Sequence, residues 1–231
     1  MSIMQSEVSS TASWSADATQ RMNRMYRWQR HIYDVTRRYY LLGRDHMIAG
    51  LSPAPRARIL EIGCGTGRNL IQAAKTYPEA RFFGLDVSTE MLTSAIEAIE
   101  REGWGDRIKV AHGDATGFDP KHSFGVRSFD HVMISYCLSM IPDWHRVLEV
   151  AVHQLAPGGS LHVVDFGGQQ RLPAVARRWL RRWLALFGVS PCDELERSMR
   201  HFAELNGAQL RFERPFRDYA QYAVLTLPPG P

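Results

Sequence analysis

The sequence predicts an α/β fold: a seven-stranded, mostly parallel sheet covered by helices on both faces. Three observations predict it. From residue 58 onward short apolar runs alternate with helix-period segments, the signature of βαβ units. The first of those runs ends in a glycine-rich turn, Gly63-Cys-Gly-Thr-Gly67. Acidic residues stand at the ends of the first three runs, where such sheets bind ligands.

Element by element, residues 1–18 are rich in Ser, Thr and Ala and read as a disordered tail. Residues 19–52 read as an N-terminal helical cap, and Ser52-Pro-Ala-Pro55 as a rigid entry into a domain spanning 53–231. Within it, Arg58–Ile62 is a predicted strand, Arg68–Thr76 a helix and Arg81–Leu85 a strand. Thr89–Glu102 follows as a helix capped by Ser88, then strands at Ile108–Ala111 and His131–Ser135 and a helix over 143–155. Pro157-Gly-Gly159 turns the chain into a fifth strand, Ser160–Val164. An amphipathic helix over 172–187 breaks the rhythm. The next helix takes Ser190 as cap, Pro191 at its first position and Asp193 three residues on, and closes at Asn206-Gly207. Leu210–Phe212 and Tyr219–Leu225 read as two closing strands.

The 231 residues suit one large domain, and 45% apolar with 23% charged residues is ordinary for a globular chain. Of the 28 basic residues only Lys75, Lys109 and Lys121 are lysines. A GC-rich genome would produce that bias without functional meaning, so placement matters more: the arginines gather in 21–44 and 171–182. Three cysteines (Cys64, Cys137, Cys192) without CxxC spacing argue for a reducing compartment and against a metal site. With no signal-peptide pattern and no run of about 18 apolar residues, the expectation is a cytoplasmic protein, with peripheral contact at the inner membrane face left open.

The chemistry concentrates in Glu61-Ile-Gly-Cys-Gly-Thr-Gly67. Glycines there let the backbone turn tightly and bring helix N–H groups to a ligand. A dinucleotide fingerprint needs glycines at 63, 65 and 68, but residue 68 is Arg, which argues against a nicotinamide enzyme. The third glycine stands at 67, with an acid two residues before the first. This spacing resembles motif I of class I S-adenosylmethionine-dependent methyltransferases, which have a Rossmann-like fold. Asp86 and Asp114 fall where that resemblance places the ribose and adenine contacts, and Phe129–Leu138 and Leu155–Ser160 resemble the later motifs. The resemblance spans 58–165 in order. It implies S-adenosyl-L-methionine as cofactor, held by Glu61, Gly63, Cys64, Gly65, Thr66, Gly67, Asp86, Val87, Asp114, Ala115 and Ser135. Taken singly, Glu61 and Asp86 read equally as strand-end acids, Asp114 as a turn former and Cys64 as a small core filler.

His31-Ile-Tyr-Asp-Val-Thr-Arg-Arg-Tyr-Tyr-Leu-Leu-Gly-Arg-Asp45 is dense in polar-aromatic residues. Followed by Gly-Cys-Gly-Thr-Gly-Arg-Asn69, it resembles the N-terminal signature of bacterial diacylglyceryl-homoserine N-methyltransferases, which complete the betaine lipid diacylglyceryl-N,N,N-trimethylhomoserine. On that reading an amine must lose its proton before attack, with His31, Tyr33, Asp34, Tyr39, Tyr40 and Tyr136 available to accept it. Aromatic faces would hold the quaternary product by cation–π attraction, with Tyr39 among the substrate contacts. Arg37 and Arg44 are the expected partners of the head group's α-carboxylate. The competing reading is a plain amphipathic lid, with Tyr33, Tyr40 and Leu41 packed on the core.

In 171–187, Leu172, Val175, Ala176, Trp179, Leu180, Trp183, Leu184 and Phe187 are assigned to one helical face and Arg171, Arg177, Arg178, Arg181 and Arg182 to the other. Such a helix fits an interface with anionic lipid, and equally a helix packed on the sheet or on another subunit. Tryptophans on the apolar face argue against nucleic acid. The expected partners are a lipid head-group substrate and an S-adenosylmethionine:diacylglycerol aminocarboxypropyltransferase supplying it. Phosphatidylethanolamine, a soluble small-molecule acceptor, or a non-catalytic cofactor-binding partner protein are the rival readings.

Overall fold

The computed structural model describes residues 41–230. In chain order the main elements are α1 (Arg44–Ala49), β1 (Arg58–Ile62), α2 (Arg68–Thr76), β2 (Arg81–Asp86), α3 (Thr89–Arg101) and β3 (Ile108–His112). They continue with α4 (Pro120–Phe124), β4 (Phe129–Ser135), α5 (Trp144–His153), β5 (Leu155–Phe166), α6 (Ala174–Leu186), α7 (Leu195–Leu205), β6 (Gln209–Glu213) and β7 (Ala220–Thr226). One sheet of order β3-β2-β1-β4-β5-β7-β6 holds all seven strands. β1 to β5 run parallel, while β7 is antiparallel to both β5 and β6. Strand order reverses between β1 and β4, which opens a crevice above their C-terminal ends.

The parallel strands are apolar on both faces because both faces are covered. One layer buries Met47, Ile48, Leu70, Leu92, Ala95 and Leu184 from α1, α2, α3 and α6 against Ile59, Phe82, Met133 and Val164. The other buries Phe124, Val147, Leu148, Leu195 and Met199 from α4, α5 and α7 against Leu60, Phe83, Val132 and Val163. Local signals set the helix starts. Ser88 Oγ accepts from Met91 N–H (3.3 Å) to cap α3, and Asp143 Oδ1 accepts from Arg146 N–H (3.4 Å) to cap α5.

Three elements differ from their sequence readings. β5 begins at Leu155, so Pro157-Gly-Gly159 lies within the strand, and a register shift between Phe129 and His131 absorbs it. A Cβ on Gly159 would meet Ala156 O at 2.8 Å, so only glycine fits there. α7 begins at Leu195, four residues beyond the expected Pro191, because its cap signals are used elsewhere. Ser190 N–H donates to Ser139 O (2.8 Å), and the Asp193 carboxylate takes Arg181. The third is α6, whose apolar stripe is split. Leu184 is buried and Leu180 and Phe187 pack against the core, whereas Val175, Trp179 and Leu186 are exposed. Its arginines do not share one face either. Arg181 turns inward to Asp193 (2.6 Å) and to Gly168 O (3.3 Å), and Arg177 lines a cleft with Gly168, Gln170 and Asp193.

Between β6 and β7, Phe216, Arg217 and Asp218 take left-handed backbone angles in succession, with φ of 57°, 59° and 65°. Buried Asp218 ties this turn to the end of β5. Its Oδ2 accepts from Gln170 N–H (2.9 Å), its Oδ1 from Arg214 (3.1 Å) and its carbonyl from Gln169 N–H (2.8 Å).

Candidate functional site

The crevice floor is built from the C-terminal ends of β1, β2 and β4. Leaving β1, the chain turns through Gly63, Gly65 and Gly67 with φ of 70°, 53° and 75°, and the Gly63 and Cys64 N–H groups both donate to Leu85 O. Space as well as φ requires glycine at 63, since a Cβ there would sit 2.5 Å from Cys137 Sγ. Gly67 is the left-handed N-cap of α2, whose first N–H groups therefore face the crevice. Gly65 and Thr66 are half-exposed, whereas Cys64 is buried among the core side chains.

Glu61 lies beneath this turn, fully buried. Its Oε1 accepts from Asn69 Nδ2 (2.7 Å), and among the described residues no group bonds its buried Oε2. Burial pushes its carboxyl from 4.5 up to about 8, against the opposing effects of the Asn69 bond and the Arg44 guanidinium. Asp86 holds the loop from the β2 side: its Oδ2 accepts from Gly65 N–H (2.7 Å) and its Oδ1 from Ser88 N–H (2.9 Å). A carboxylate at this strand end is the group type that accepts from ribose hydroxyls. Val87 beside it lends its carbonyl to His112 Nε2 (3.1 Å). After β3, Asp114 Oδ1 accepts from Thr116 N–H and Oγ1 (2.8 and 2.7 Å), which fixes a turn whose residues, Ala115 included, are half-exposed. At the end of β4, Ser135 carries a buried Oγ with no hydrogen-bond partner among the described residues.

The other side of the crevice is bordered by the ends of β4 and β5 and the turn before β7, where the acceptor is expected. Tyr136 has a left-handed backbone (φ 52°), and its hydroxyl donates to Leu42 O. Burial, with Asp165 adding to it, pushes this phenol well above the usual range. The Tyr136 side chain thus pins residues 41–44 over the crevice and is poorly placed to accept a proton. Its ring meets Phe166 edge-on at 4.7 Å, and Phe166 meets Tyr219 at 6.0 Å. Asp165, fully buried, accepts from Phe166 N–H (2.7 Å) and Ser139 N–H (3.2 Å), and burial raises its carboxyl from 3.8 to about 6. Gln169, also fully buried, has no hydrogen-bond partner for either side-chain amide atom among the described residues.

Of the expected acceptor residues, Arg44 and Tyr136 are described; His31, Tyr33, Asp34, Arg37, Tyr39 and Tyr40 lie outside the described residues. Arg44 is buried at the start of α1, donates from Nε to Leu41 O (3.3 Å) and acts electrostatically on both Glu61 and Tyr136. It therefore stands between the cofactor side and the acceptor side. The sequence reading missed Asn69, Asp165 and Gln169. For Asp165 a signal existed: a lone acid in the apolar run Leu161-His-Val-Val-Asp-Phe166, where a buried polar residue is the informative observation.

The arrangement fits S-adenosylmethionine. It offers a buried unpaired carboxylate oxygen, a left-handed glycine turn closing on a helix N-terminus and a strand-end carboxylate already oriented by two N–H groups. Comparison with known proteins agrees. A model described as a methyltransferase domain matches residues 59–159. The demethylmenaquinone methyltransferase of Listeria welshimeri is 28% identical over 174 residues, 71% of each chain. That of Geobacillus kaustophilus is 30% identical over 140 residues, 60% of this chain and 54% of the relative. Among solved structures, a chain from the complex of the Haloferax volcanii Trm112 methyltransferase activator with a methyltransferase superposes with a TM-score of 0.67 at 18% identity, covering 89% of this chain and 98% of that one. Haemonchus contortus phosphoethanolamine N-methyltransferase 2, solved with S-adenosyl-L-methionine, gives 0.64 at 18% identity, covering 81% and 52%. The chain is an S-adenosylmethionine-dependent methyltransferase with the class I fold.

Proposed function

We propose that the acceptor is the amino group of a lipid head group, with diacylglycerylhomoserine, carried to its trimethylated betaine, as the first candidate. The observation that carries this reading is the aromatic cluster of Tyr136, which follows β4, Phe166, which ends β5, and the half-buried Tyr219 just before β7. Tyr136 and Phe166 are buried, so the ring that can meet a quaternary ammonium, the product of successive N-methylation, is that of Tyr219, with an attraction of about 0.5–2 kcal/mol. The likeness of His31–Asp45 to the diacylglyceryl-homoserine enzymes supports it, and so does the buried guanidinium of Arg44, a partner for a carboxylate.

When bound, S-adenosylmethionine supplies a methyl group on a positively charged sulfur. The protein's task is then to align the amine with it, exclude water and leave the amine unprotonated. Tyr136 closes residues 41–44 over the crevice through Leu42, and Phe166 and Tyr219 remove water from the acceptor side. Ring methylation of demethylmenaquinone is the second reading, favoured by the names of the curated relatives. Both acceptors are borne by membrane lipids.

The test is methyl incorporation from labelled S-adenosylmethionine into diacylglycerylhomoserine, phosphatidylethanolamine, demethylmenaquinone and phosphoethanolamine, each offered alone. Turnover chiefly on the homoserine lipid is expected. Turnover chiefly on the quinone establishes the second reading, and turnover only on the soluble amine defeats both.

A further inference from the structure

Beyond the methyltransferase site, α6 carries an apolar stripe that is largely exposed among the described residues, with Trp183 packed edge-on against Phe187 at 4.9 Å. Val175, Trp179, Trp183 and Leu186 follow one another at i, i+4, i+8 and i+11, one side of a helix, and are 69%, 71%, 36% and 78% exposed. Val175, Trp179 and Leu186, with the partly packed Trp183 between them, form a continuous row on the outside of a 13-residue helix, which marks an interaction surface rather than a scatter of single exposed residues.

Charge identifies what the stripe meets. Arg171, Arg178 and Arg182 are exposed along one border, and no Asp or Glu occurs between Asp165 and Asp193. The two remaining arginines of the helix turn to the loop at Gly168, so the outer border is purely cationic beside the tryptophans. The chain's own residues 19–40 carry six arginines against the single acid Asp34, so they would be repelled by that border. A second copy of α6 would bring the same positive border against itself. A surface that takes Trp and Leu at its polar–apolar boundary and Arg at its charge layer is an anionic lipid bilayer.

We infer that α6 docks the enzyme on anionic membrane, through Val175, Trp179, Trp183 and Leu186 with Arg171, Arg178 and Arg182 beside them. The helix leaves the end of β5 through the loop that borders the acceptor wall, so docking brings that wall to the source of a lipid-borne acceptor. The docking itself does not depend on which acceptor is methylated.

The test is co-sedimentation of the full chain with vesicles of mixed phosphatidylglycerol and phosphatidylcholine that contain no acceptor. Wild type should bind, and binding should fall steeply with salt as the arginines are screened. Arg178→Gln/Arg182→Gln should weaken partitioning roughly 30-fold, at about 1 kcal/mol for each lost charge. Trp179→Glu/Leu186→Glu should abolish it. Both variants alter exposed residues, so S-adenosylmethionine affinity by calorimetry should stay at the wild-type value and shows that they are folded. Wild type that ignores anionic vesicles at low salt overturns the inference, as does equal binding to pure phosphatidylcholine. Dimerisation lost in Trp179→Glu/Leu186→Glu, with no vesicle binding by wild type, would assign the stripe to a second copy instead. Because the vesicles carry no acceptor, none of these failures touches the proposed reaction.

Discussion

Glu61→Gln keeps the side-chain volume and the partner for Asn69 while removing a buried charge. The wild-type carboxyl is lifted from 4.5 to about 8, chiefly by burial. A folded value above the unfolded one means the folded chain holds the proton more tightly. Stability is therefore fully present below pH 4.5 and is lost as pH rises through 8. At about 1.4 kcal/mol per pH unit, the loss above pH 8 is on the order of 5 kcal/mol. The Gln variant escapes it, so its unfolding midpoint should exceed that of wild type at pH 8.5, and the gap should close near pH 5. Ligand binding should carry the opposite signature. If the unpaired Oε2 receives the cofactor's ammonium, the bound state needs the carboxylate ionised, and wild-type affinity should rise about tenfold per unit from pH 6 toward 8. It should bend over there, where an α-amino group (about 7.7–8.0) loses its own proton. The Gln variant should show no such rise and should bind about 10- to 100-fold more weakly at pH 8, the value of a lost charged hydrogen bond. Calorimetry in buffers of different ionisation enthalpy counts the proton released below pH 8. A flat wild-type profile from pH 6 to 8, or a Gln variant less stable than wild type at pH 8.5, would refute the reasoning.

Asp86→Ala strips the acceptor from the Gly65 and Ser88 N–H groups, so denaturant titration should show a loss of about 1–3 kcal/mol alongside at least tenfold weaker cofactor binding. Weakened binding with unchanged stability would show that the carboxylate serves only the ligand. Gly63→Ala meets Cys137 Sγ as well as a left-handed φ, and should cost about 1–3 kcal/mol. Adding Cys137→Ala should recover the steric part, and a double variant no better than the single one would leave only backbone strain. Burial lowers His162 from 6.5 to about 3, with His131 and Arg211 adding to the shift, so its stabilisation is present above pH 6.5 and is lost as pH falls toward 3. Between pH 7 and 4.5, His162→Phe should remove about 2–3 kcal/mol of acid destabilisation relative to wild type, and parallel stability profiles for the two proteins would contradict this.

The sheet was legible because its cause is local. Buried parallel strands are apolar runs, and Arg58–Ile62 and Arg81–Asp86 could be bounded within a residue. The cofactor loop was legible because glycines at 63, 65 and 67 report a backbone constraint in the sequence itself. What failed depends on distant partners. Ser190 and Asp193 look like cap residues, but their groups go to Ser139 and Arg181, contacts that no local pattern encodes. A helical moment shows that α6 has two sides, but not that the core takes only Leu180, Leu184 and Phe187 and leaves Trp179 outside. The role of Tyr136 was hidden for the same reason: its hydroxyl is committed to Leu42, 94 residues earlier.

The left-handed run Phe216-Arg217-Asp218 inverts an ordinary rule of protein engineering. Elsewhere glycine weakens a chain by enlarging the unfolded ensemble, by about 0.5–1 kcal/mol. Here each non-glycine residue sits where its Cβ crowds the backbone, at roughly 1–2 kcal/mol apiece. Arg217→Gly, at an exposed position, is thus a substitution by which glycine should strengthen the fold. The same does not extend to Asp218, whose carboxylate fastens the hairpin to the end of β5. Two neighbouring residues with nearly the same φ therefore stand at opposite ends of mutational tolerance, one retained by its side chain and the other replaceable because of its backbone.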